Sequence, residues 1–244
     1  MGTIIAGRKP VMEALKSGTR IEKIVLLTGV KGDVILALRA LADERKVPVT
    51  QANKPQFREL APDQTTQGVV AIVQTKPLAA LDEILAVPAR RGEKGFLLIL
   101  DGIEDPHNLG ALIRTAECTG VHGVILPKHH SAPVTSTVVK ASAGATEHVP
   151  ITEVTNIAAT LEELKKEGYW IVGLEGESDR LFTDVDYTVP VGLVIGNEGK
   201  GIRRLVREHC DHLVRIPLYG RIESLNASVA GALAMYEVAR TRRA

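Results

Sequence analysis

The sequence is poor in cysteine and aromatic residues, and it carries almost no net charge. Its 244 residues include only two cysteines, Cys118 and Cys210; 3% are aromatic, and the formal net charge is +1. Two cysteines cannot form the disulfide framework of a small secreted domain, so we expect a reducing, cytoplasmic location. A charge near zero argues against a strongly basic nucleic-acid binder when the chain is taken as a whole.

Long apolar runs are also absent. The longest, such as Phe96 to Leu100 and Gly192 to Ile195, are strand-sized, whereas a membrane helix needs about 20 apolar residues. Met1 to Lys9 contains no apolar stretch of signal-peptide length. We therefore expect no membrane partner. The length and the hydrophobic content of 45% predict a globular protein of one or two domains with a real core.

The charges are unevenly distributed along the chain. Residues 1 to 76 carry 12 Lys and Arg against 7 Asp and Glu, and the remaining residues carry 18 against 22. A small basic module before a mildly acidic body fits a phosphate-contacting appendage on a separate catalytic domain. Ordinary surface solvation explains the same counts equally well.

Alternating strand and helix patterns predict two α/β modules. We expect a first domain over residues 1 to 76, a linker over 77 to 94 that holds one short helix from Leu81 to Ala86, and a second domain over 95 to 244. The boundary falls at Thr75-Lys76-Pro77. In the second domain, the predicted strands are Phe96 to Leu100, Val124 to Leu126, Tyr169 to Leu174, Val191 to Ile195 and Leu213 to Ile216. The predicted helices are Leu109 to Thr119, Ser136 to Ala143, a run capped by Thr155 or Asn156 that ends at Glu167, Ile202 to Cys210, and Leu225 to Arg240. This alternation predicts a mostly parallel sheet covered on both faces.

Three polar loops follow predicted strands and precede predicted helices. They are Asp105 to Gly110 with Arg114 just downstream, Gly196 to Gly201, and Ser224 to Asn226. Loops at the carboxyl ends of parallel strands converge on a crevice where α/β folds bind ligands, so we expect one shared site. Structural roles explain the same residues: Asn108 as the N-cap of its helix, Glu198 as an acid at a helix N-terminus, and Ser224 and Asn226 as caps.

Several common active-site motifs are missing. The glycine-rich loop is neither a P-loop nor a G-x-G-x-x-G dinucleotide fingerprint, which weakens a dehydrogenase or a Rossmann-type methyltransferase interpretation. A serine hydrolase would need a G-x-S-x-G elbow, which the chain lacks. A metal site could be imagined at His209, Cys210 and His212 or at His129-His130, but no spacing matches a known ligand set, so we expect no metal.

The three loops resemble a known family. Asp105 to Arg114, Leu193 to Ile202 and Ile216 to Ala230 look like the three motifs of the SpoU (TrmH-type) class of SPOUT RNA 2′-O-ribose methyltransferases. The stretch Ile5-Ala6-Gly7-Arg8-Lys9-Pro10-Val11 resembles the small substrate-binding domain that many members carry. Length and layout are most similar to the bacterial enzymes that methylate a guanosine in the peptidyl-transferase region of 23S ribosomal RNA.

The resemblance implies a fold and a set of site residues. It implies a small ribosomal-protein-like α/β domain followed by a mostly parallel methyltransferase domain with a trefoil knot from about Leu193 onward, which general topology rules would not predict. S-adenosylmethionine would bind in the knot, at Leu174, Glu175, Gly176, Gly196, Ile216, Leu218 and Leu225. The polar active-site positions would be Asn108, Arg114, Glu198, Ser224 and Asn226, and Arg8 and Lys9 would contact RNA. The family is dimeric through helices of the knot domain.

The chemistry expected at this site is transfer of a methyl group to a ribose 2′-hydroxyl. The family gives the arginine a general-base role, but a guanidinium stays protonated in proteins. We therefore expect Arg114, oriented by Asn108, to stabilise the developing alkoxide and grip the adjacent phosphate, with that phosphate or Glu198 as proton acceptor. With so few aromatic residues, base stacking should not dominate RNA binding.

Other functions remain open at this point. Within the enzyme class, the substrate could be transfer RNA, or the chain could be a resistance-type ribosomal methyltransferase. A ribosome-associated RNA-binding protein without catalysis would need only the basic module, and the cofactor-site loops would then have no purpose.

Overall fold

The computed structural model describes residues 3–16, 19, 21–61, 66–73 and 77–243. The chain divides into two compact units, Met1–Lys76 and Pro77–Ala244. Thr75 and Lys76, at the predicted boundary, lie outside the described residues. No helix within the described ranges combines the length and apolarity needed to cross a membrane.

The first unit is a four-stranded sheet with helices. Its strands are β1 (Thr3–Ala6), β2 (Ile21–Leu27), β3 (Val49–Ala52) and β4 (Val69–Val73), and its helices are α1 (Arg8–Lys16), α2 (Asp33–Glu44) and α3 (Lys54–Leu60). The strand order is β1-β4-β2-β3. Strand β4 runs antiparallel to β1 and β2, while β2 and β3 are parallel. The segment β2-α2-β3 is therefore a parallel βαβ unit, and β4 inserts between β1 and β2 as an antiparallel strand.

The second unit is a six-stranded parallel sheet. Its strands are β5 (Phe96–Asp101), β6 (Gly123–Pro127), β7 (Ile151–Val154), β8 (Trp170–Leu174), β9 (Val191–Gly196) and β10 (His212–Val214), in the order β10-β8-β9-β5-β6-β7. All five pairings are parallel. Every residue of β5, β6 and β9 is buried, as expected for central strands covered on both faces. The predicted α/β class with a mostly parallel sheet is confirmed.

Helices cover both faces of this sheet. They are α4 (Leu81–Arg91), α5 (Pro106–Thr119), α6 (Ser136–Ala141), α7 (Ile157–Lys166), α8 (Arg204–Glu208) and α9 (Ala227–Arg243). One core cluster joins the sheet to α5 and α9, through residues such as Leu112 and Met235. A second joins the other face to α4, α7 and α8, through Ile84, Leu161 and Val206.

Helix α4 is longer than the sequence predicted. The predicted helix ended at Ala86, but α4 continues to Arg91 and includes Pro88. The Arg90 side chain donates to the carbonyl oxygens of Ala86, at 3.3 Å, and Glu83, at 3.0 Å, which supports the last turns around the proline. Ile84 is fully buried in the core of the second unit, so this part of the predicted linker packs as an ordinary helix.

Two further elements differ from prediction. The sequence pattern does not predict strand β7, because this strand has only four residues and lies at the edge of the sheet, where two of the four are buried. Helix α8 has five residues instead of the predicted nine. Its start is delayed because Ile202 packs into the core and the Arg203 backbone N–H donates to the Asp101 carboxylate at 2.8 Å instead of entering a helix.

A buried histidine joins β5 to β6. The Phe96 backbone N–H donates to Nδ1 of His122 at 3.0 Å, so Nε2 carries the proton and faces Glu93 at 2.9 Å. Burial lowers the pKa of His122, and the Glu93 carboxylate opposes this effect only partly. The imidazole is therefore held neutral, in one tautomer, within the core.

Candidate active site

The carboxyl ends of four strands meet at one edge of the second sheet. Asp101 at the end of β5 lies beside Gly196 at the end of β9, Leu174 of β8 lies beside Ile195, and Val214 of β10 lies beside Leu174. The polar loops singled out in the sequence leave from this edge. Their convergence is the arrangement in which open α/β sheets bind ligands.

Three predicted polar residues form a hydrogen-bonded triangle. The Asn108 amide donates to Oε2 of Glu198 at 3.3 Å, and the Asn226 amide donates to Oε1 of Glu198 at 3.3 Å and to Oδ1 of Asn108 at 3.0 Å. The three residues are separated by up to 118 positions along the chain. The triangle therefore fixes α5, the glycine-rich loop and the start of α9 against one another.

Asn226 uses both sides of its amide within the protein. Its Nδ2 supplies the two donors of the triangle, and its Oδ1 accepts from the Ser228 hydroxyl at 2.6 Å and from the backbone N–H groups of Ser228 and Val229 at 3.0 and 3.4 Å. These last bonds cap α9, which begins at Ala227. A primary amide has two N–H donors, so Asn226 positions its neighbours and has no N–H left for a ligand.

The sequence indicated Asn108 as the N-cap of α5, but the structure places another residue there. The helix begins at Pro106, and the Asp105 carboxylate accepts from the backbone N–H groups of His107 and Asn108 at 3.2 and 3.1 Å. Proline at the first helical position loses no hydrogen bond, since its missing N–H would have been unpaired there. The true cap is Asp105, which frees the Asn108 side chain for the triangle.

Arg114 lies apart from this triangle. It is exposed on α5, six residues after Asn108, which corresponds to about 9 Å along a helix axis. Asn108 directs its side chain to Glu198 and Asn226, and among the described residues no hydrogen bond or ion pair of the Arg114 side chain is found. The expectation that Asn108 orients Arg114 is wrong for the single chain. The guanidinium is open to an external anion.

A cavity of about 150 Å³ opens beside the triangle. All seven residues proposed as cofactor ligands line it, as do Glu198 and Ser224; the seven are Leu174, Glu175, Gly176, Gly196, Ile216, Leu218 and Leu225. The lining includes three carboxylates, from Glu175, Glu198 and Glu223, and one guanidinium, from Arg215. Apolar walls with an excess of acids suit a ligand that combines a flat heterocycle with a separate positively charged group.

Gly196 is required by the close return of the loop that follows it. A Cβ atom there would lie under 3.0 Å from the backbone of Gly201 and Ile202, including 2.5 Å from the Gly201 oxygen. The loop closes on itself because Asn197 and Gly201 exchange two backbone hydrogen bonds of 2.9 Å. Glu198 is thereby carried at the tip of a five-residue turn that covers one wall of the cavity.

Sequence reasoning missed the residues that anchor this turn. The Asn197 amide donates to the Gly102 carbonyl at 2.8 Å, and its Oδ1 accepts from the backbone N–H groups of Gly199 and Lys200 at 3.0 and 3.1 Å. Arg203 binds the fully buried Asp101 carboxylate. The sequence feature that could have revealed this anchor is Asp101, a charged residue at the end of the otherwise apolar strand β5.

Arg8 and Lys9 belong to the first unit. Arg8 opens α1, and its Nε donates to the backbone oxygen of Gln67 at 3.1 Å. Lys9 is exposed on the same first turn. Lys9 thus presents its charge to solvent, while the Arg8 guanidinium is held against the chain on one side.

Two of the histidines considered as metal ligands, His209 and His212, have their Nδ1 atoms in contact with other protein groups. Nδ1 of His212 accepts from Arg180 at 2.9 Å, and Nδ1 of His209 lies 2.7 Å from the Leu205 carbonyl. Burial raises the pKa of Cys210 to about 12, which disfavours the thiolate that a metal would need. Across the described ranges, no group of three or more His, Cys, Asp or Glu side chains has a metal-binding arrangement.

Comparison with known proteins identifies the same loops and both units. Residues 95–236 match the model of the SpoU rRNA Methylase family, and residues 4–79 match a model described as RNA 2′-O ribose methyltransferase substrate binding. The chain is 45% identical to a Staphylococcus saprophyticus protein whose name assigns it provisionally to the TrmH family of tRNA/rRNA methyltransferases. That alignment covers 98% of this chain and 96% of the relative.

Solved structures agree with this assignment. The SpoU methyltransferase AviRb from Streptomyces viridochromogenes, in complex with the cofactor AdoMet, superposes with a TM-score of 0.68 at 26% identity, over 98% of this chain and 90% of that one. The AdoMet-bound rRNA methyltransferase from Sinorhizobium meliloti gives a TM-score of 0.66 at 26% identity, over 98% and 87%. Because the family model covers all three converging loops and a relative of 45% identity aligns over nearly the full length, the chain belongs to the SpoU (TrmH-type) family of RNA methyltransferases.

Proposed function

We propose that this chain transfers a methyl group from S-adenosylmethionine to the ribose 2′-hydroxyl of a guanosine in the peptidyl-transferase region of 23S ribosomal RNA. The observation that carries the proposal is the single cavity lined by all seven candidate cofactor residues, with Glu198 of the hydrogen-bonded triangle in its wall. Binding and chemistry would then share one edge of the parallel sheet.

The residues of the cavity fit S-adenosylmethionine. Leu174, Leu218 and Leu225 supply apolar walls for the adenine, and the surrounding carboxylates complement the positively charged sulfonium and ammonium groups. The cavity volume of about 150 Å³ is below the roughly 300 Å³ at the lower end of ligand pockets. We therefore expect the loop around Tyr219 and Ile222, which are 95% and 75% exposed, to move outward on binding.

The cofactor supplies a methyl group already activated on sulfur, so the protein's part is to position the acceptor and manage its proton. Arg114 is exposed and free to hold a phosphate bidentately and to stabilise negative charge on the 2′-oxygen. Glu198 is fixed by two amide donors. We assign proton acceptance to Glu198 or to the RNA phosphate.

The first unit is proposed to recruit the RNA. Its 12 basic against 7 acidic residues give the phosphate-binding surplus that the second unit lacks, and Arg8 and Lys9 lie on its first helix. The name of the curated relative spans both tRNA and rRNA, so transfer RNA is the alternative substrate. The ribosomal assignment is supported by the family description and by the Sinorhizobium meliloti neighbour.

A homodimer is proposed through α9. Val229, Leu233 and Tyr236 recur at helical spacing and are 48%, 44% and 57% exposed, which forms an apolar stripe of the kind that protein interfaces cover. The small residues of α9 serve packing within the chain, since a Cβ at Gly231 would overlap Leu112 of α5. The cytoplasmic location and the trefoil knot from about Leu193 onward are part of the same proposal.

The test is to map ribose methylation in a strain that lacks this protein. Mass spectrometry of 23S ribosomal and transfer RNA should show loss of one 2′-O-methylguanosine in 23S RNA, restored by the wild-type gene. Loss in transfer RNA instead would select the alternative substrate, and unchanged methylation in both RNA classes would reject the proposal.

Arg114→Ala tests the proposed chemistry in purified protein. Transfer should fall below detection while calorimetry still shows cofactor binding, because Arg114 does not line the cavity. Arg204→Ala, which removes another exposed arginine, is the control and should transfer at the wild-type rate. Near-normal turnover of Arg114→Ala would remove Arg114 from the mechanism.

A further inference from the structure

An ion pair between the buried Asp101 and the half-exposed Arg203 lies just after the Glu198 turn, which comprises Asn197 to Gly201. Asp101, the last residue of β5, is fully buried. Its Oδ1 accepts from Nε of Arg203 at 2.6 Å and contacts Nη2 at 2.5 Å, and its Oδ2 accepts from the Arg203 backbone N–H at 2.8 Å. Both carboxylate oxygens are therefore directed at a single residue that follows the Glu198 turn.

The Glu198 turn is held at both of its ends by the same short segment. Before the turn, the Asn197 amide binds the Gly102 carbonyl, and after the turn Arg203 binds the Asp101 carboxylate. Asp101 and Gly102 also lead into Asp105, which caps the helix that carries Asn108. The end of β5 is thus the common base of the Asn108 and Glu198 positions.

We infer that Asp101 and Arg203 are positioning residues for methyl transfer, which hold the Glu198 carboxylate against the amides of Asn108 and Asn226. This inference rests on the proposed function. A carboxylate at the tip of a turn keeps 3.3 Å contacts with two amides only if both ends of the turn are fixed. Backbone closure between Asn197 and Gly201 sets the shape of the turn, and the ion pair fixes its place on the sheet.

A purely stabilising role is the competing explanation. Burial of the Asp101 carboxylate costs desolvation free energy, so its ion pair with the half-exposed Arg203 is poor evidence for a net gain in stability. Asp101 makes three contacts with Arg203, one of them to the backbone N–H two residues after the turn, and together these contacts fix the position of the backbone there. The two roles predict different transfer rates. If the ion pair positions Glu198, its loss lowers the rate only while Glu198 is present, whereas a loss of stability lowers the rate with or without Glu198.

The experiment compares Arg203→Gln and Asp101→Asn in two backgrounds, wild type and Glu198→Gln. Single-turnover transfer from tritiated S-adenosylmethionine to 23S RNA measures the rate. In the wild-type background each variant should slow transfer about 10- to 100-fold, as expected for displacement near 1 Å, with the KM for RNA changed less than about twofold. In the Glu198→Gln background, the same substitutions should change the residual rate less than about twofold, because residues that act as a unit are non-additive.

Arg204→Gln is the matched control. Arg204 is adjacent in sequence and forms an equally short ion pair with Glu208, at 2.6 Å, but on the exposed surface. It should leave the rate unchanged. The inference would be overturned if Arg203→Gln lowered the rate by the same factor in both backgrounds. It would also be overturned if either Arg203→Gln or Glu198→Gln alone transferred methyl groups at the wild-type rate.

A second readout does not depend on activity. Hydrogen exchange of the Gly199 and Lys200 amides should accelerate in Arg203→Gln and stay unchanged in Arg204→Gln. Both amides donate to Oδ1 of Asn197, and the Asn197 side chain keeps its orientation through its bond to the Gly102 carbonyl, which is lost if the turn moves off the sheet. Unchanged exchange in Arg203→Gln would reject the anchoring itself. Absence of RNA methylation by the wild-type protein would instead reject the proposed function and leave the exchange result standing.

Discussion

Replacing Gly196 by alanine should displace the Glu198 turn while leaving the sheet intact. The added Cβ would lie 2.5 Å from the Gly201 oxygen, whereas ordinary contact begins at 3.4 Å. The opposing atoms are backbone, so no side-chain rotation can relieve the overlap. The turn must move by about 1 Å, since repulsion at the shorter separation far exceeds the attraction of any single contact.

The size of the effect follows from the bonds at the tip of the turn. Both amide contacts to Glu198 are 3.3 Å long, and a displacement of this size carries them past hydrogen-bonding range. Overpacking against backbone costs about 1–3 kcal/mol. Because Glu198 is exposed, each of its two amide hydrogen bonds contributes no more than about 0.5–1.5 kcal/mol. We expect a lower melting temperature, a cofactor affinity reduced at least about tenfold, and a transfer rate reduced about 100-fold.

Calorimetry with S-adenosylmethionine, thermal unfolding and single-turnover methyl transfer measure the three effects. Gly199→Ala is the control, because it makes the same substitution in the same turn where the nearest atom to a new Cβ is the Asn197 side-chain oxygen at 3.7 Å. It should behave as wild type in cofactor binding. If Gly196→Ala bound cofactor as tightly as Gly199→Ala, the close return of the turn onto β9 would be refuted.

Four further changes test other parts of the structure. Asn226→Ala removes the cap of α9 and two bonds of the triangle, so thermal unfolding should show a loss of at least about 1 kcal/mol, together with weaker cofactor or RNA binding by calorimetry and gel shift. Burial lowers the pKa of His122, so the unfolded chain binds its proton more tightly; urea unfolding should show stability falling as pH drops below the ordinary value of 6.5, and His122→Gln should flatten that dependence. Leu233→Glu should convert the proposed dimer to monomer in sedimentation, whereas Leu205→Glu, at an exposed residue of α8, should not. Deletion of residues 1 to 76 should weaken RNA binding in gel shifts and spare cofactor binding; an equally active truncated protein would contradict the recruitment role.

The sequence predicted what depends on local pattern. The apolar runs of β5 and β9, the helical spacing of α5 and the alternation of elements were sufficient for an α/β fold with a parallel second sheet. The three polar loops were visible because each departs from an apolar run. Their convergence could be inferred because parallel strands place their carboxyl ends at one edge.

The anchors of the site could not be predicted in this way. The contact between Asp101 and Arg203 spans 102 positions, and the contact between Asn197 and Gly102 spans 95. Local pattern carries no information about such pairs. The same limit explains the wrong cap at α5: Asn108 has the chemistry of a cap, but Asp105 occupies that place because Pro106 begins the helix.

The hydrogen bonds divide the candidate site residues into two kinds. Asn226 has both N–H groups and its oxygen engaged within the protein, and Asn108 gives its oxygen and one N–H to the triangle. Within the part of the chain that the structure describes, no such bond ties Arg114 or the Ser224 side chain, and both are exposed. Asn108 and Asn226 are half-buried, and a polar group with partners inside the protein must break those bonds to bind a ligand, whereas a solvated group exchanges only water. The satisfied amides therefore build the wall that carries Glu198, and the solvated groups are the ones free to contact RNA.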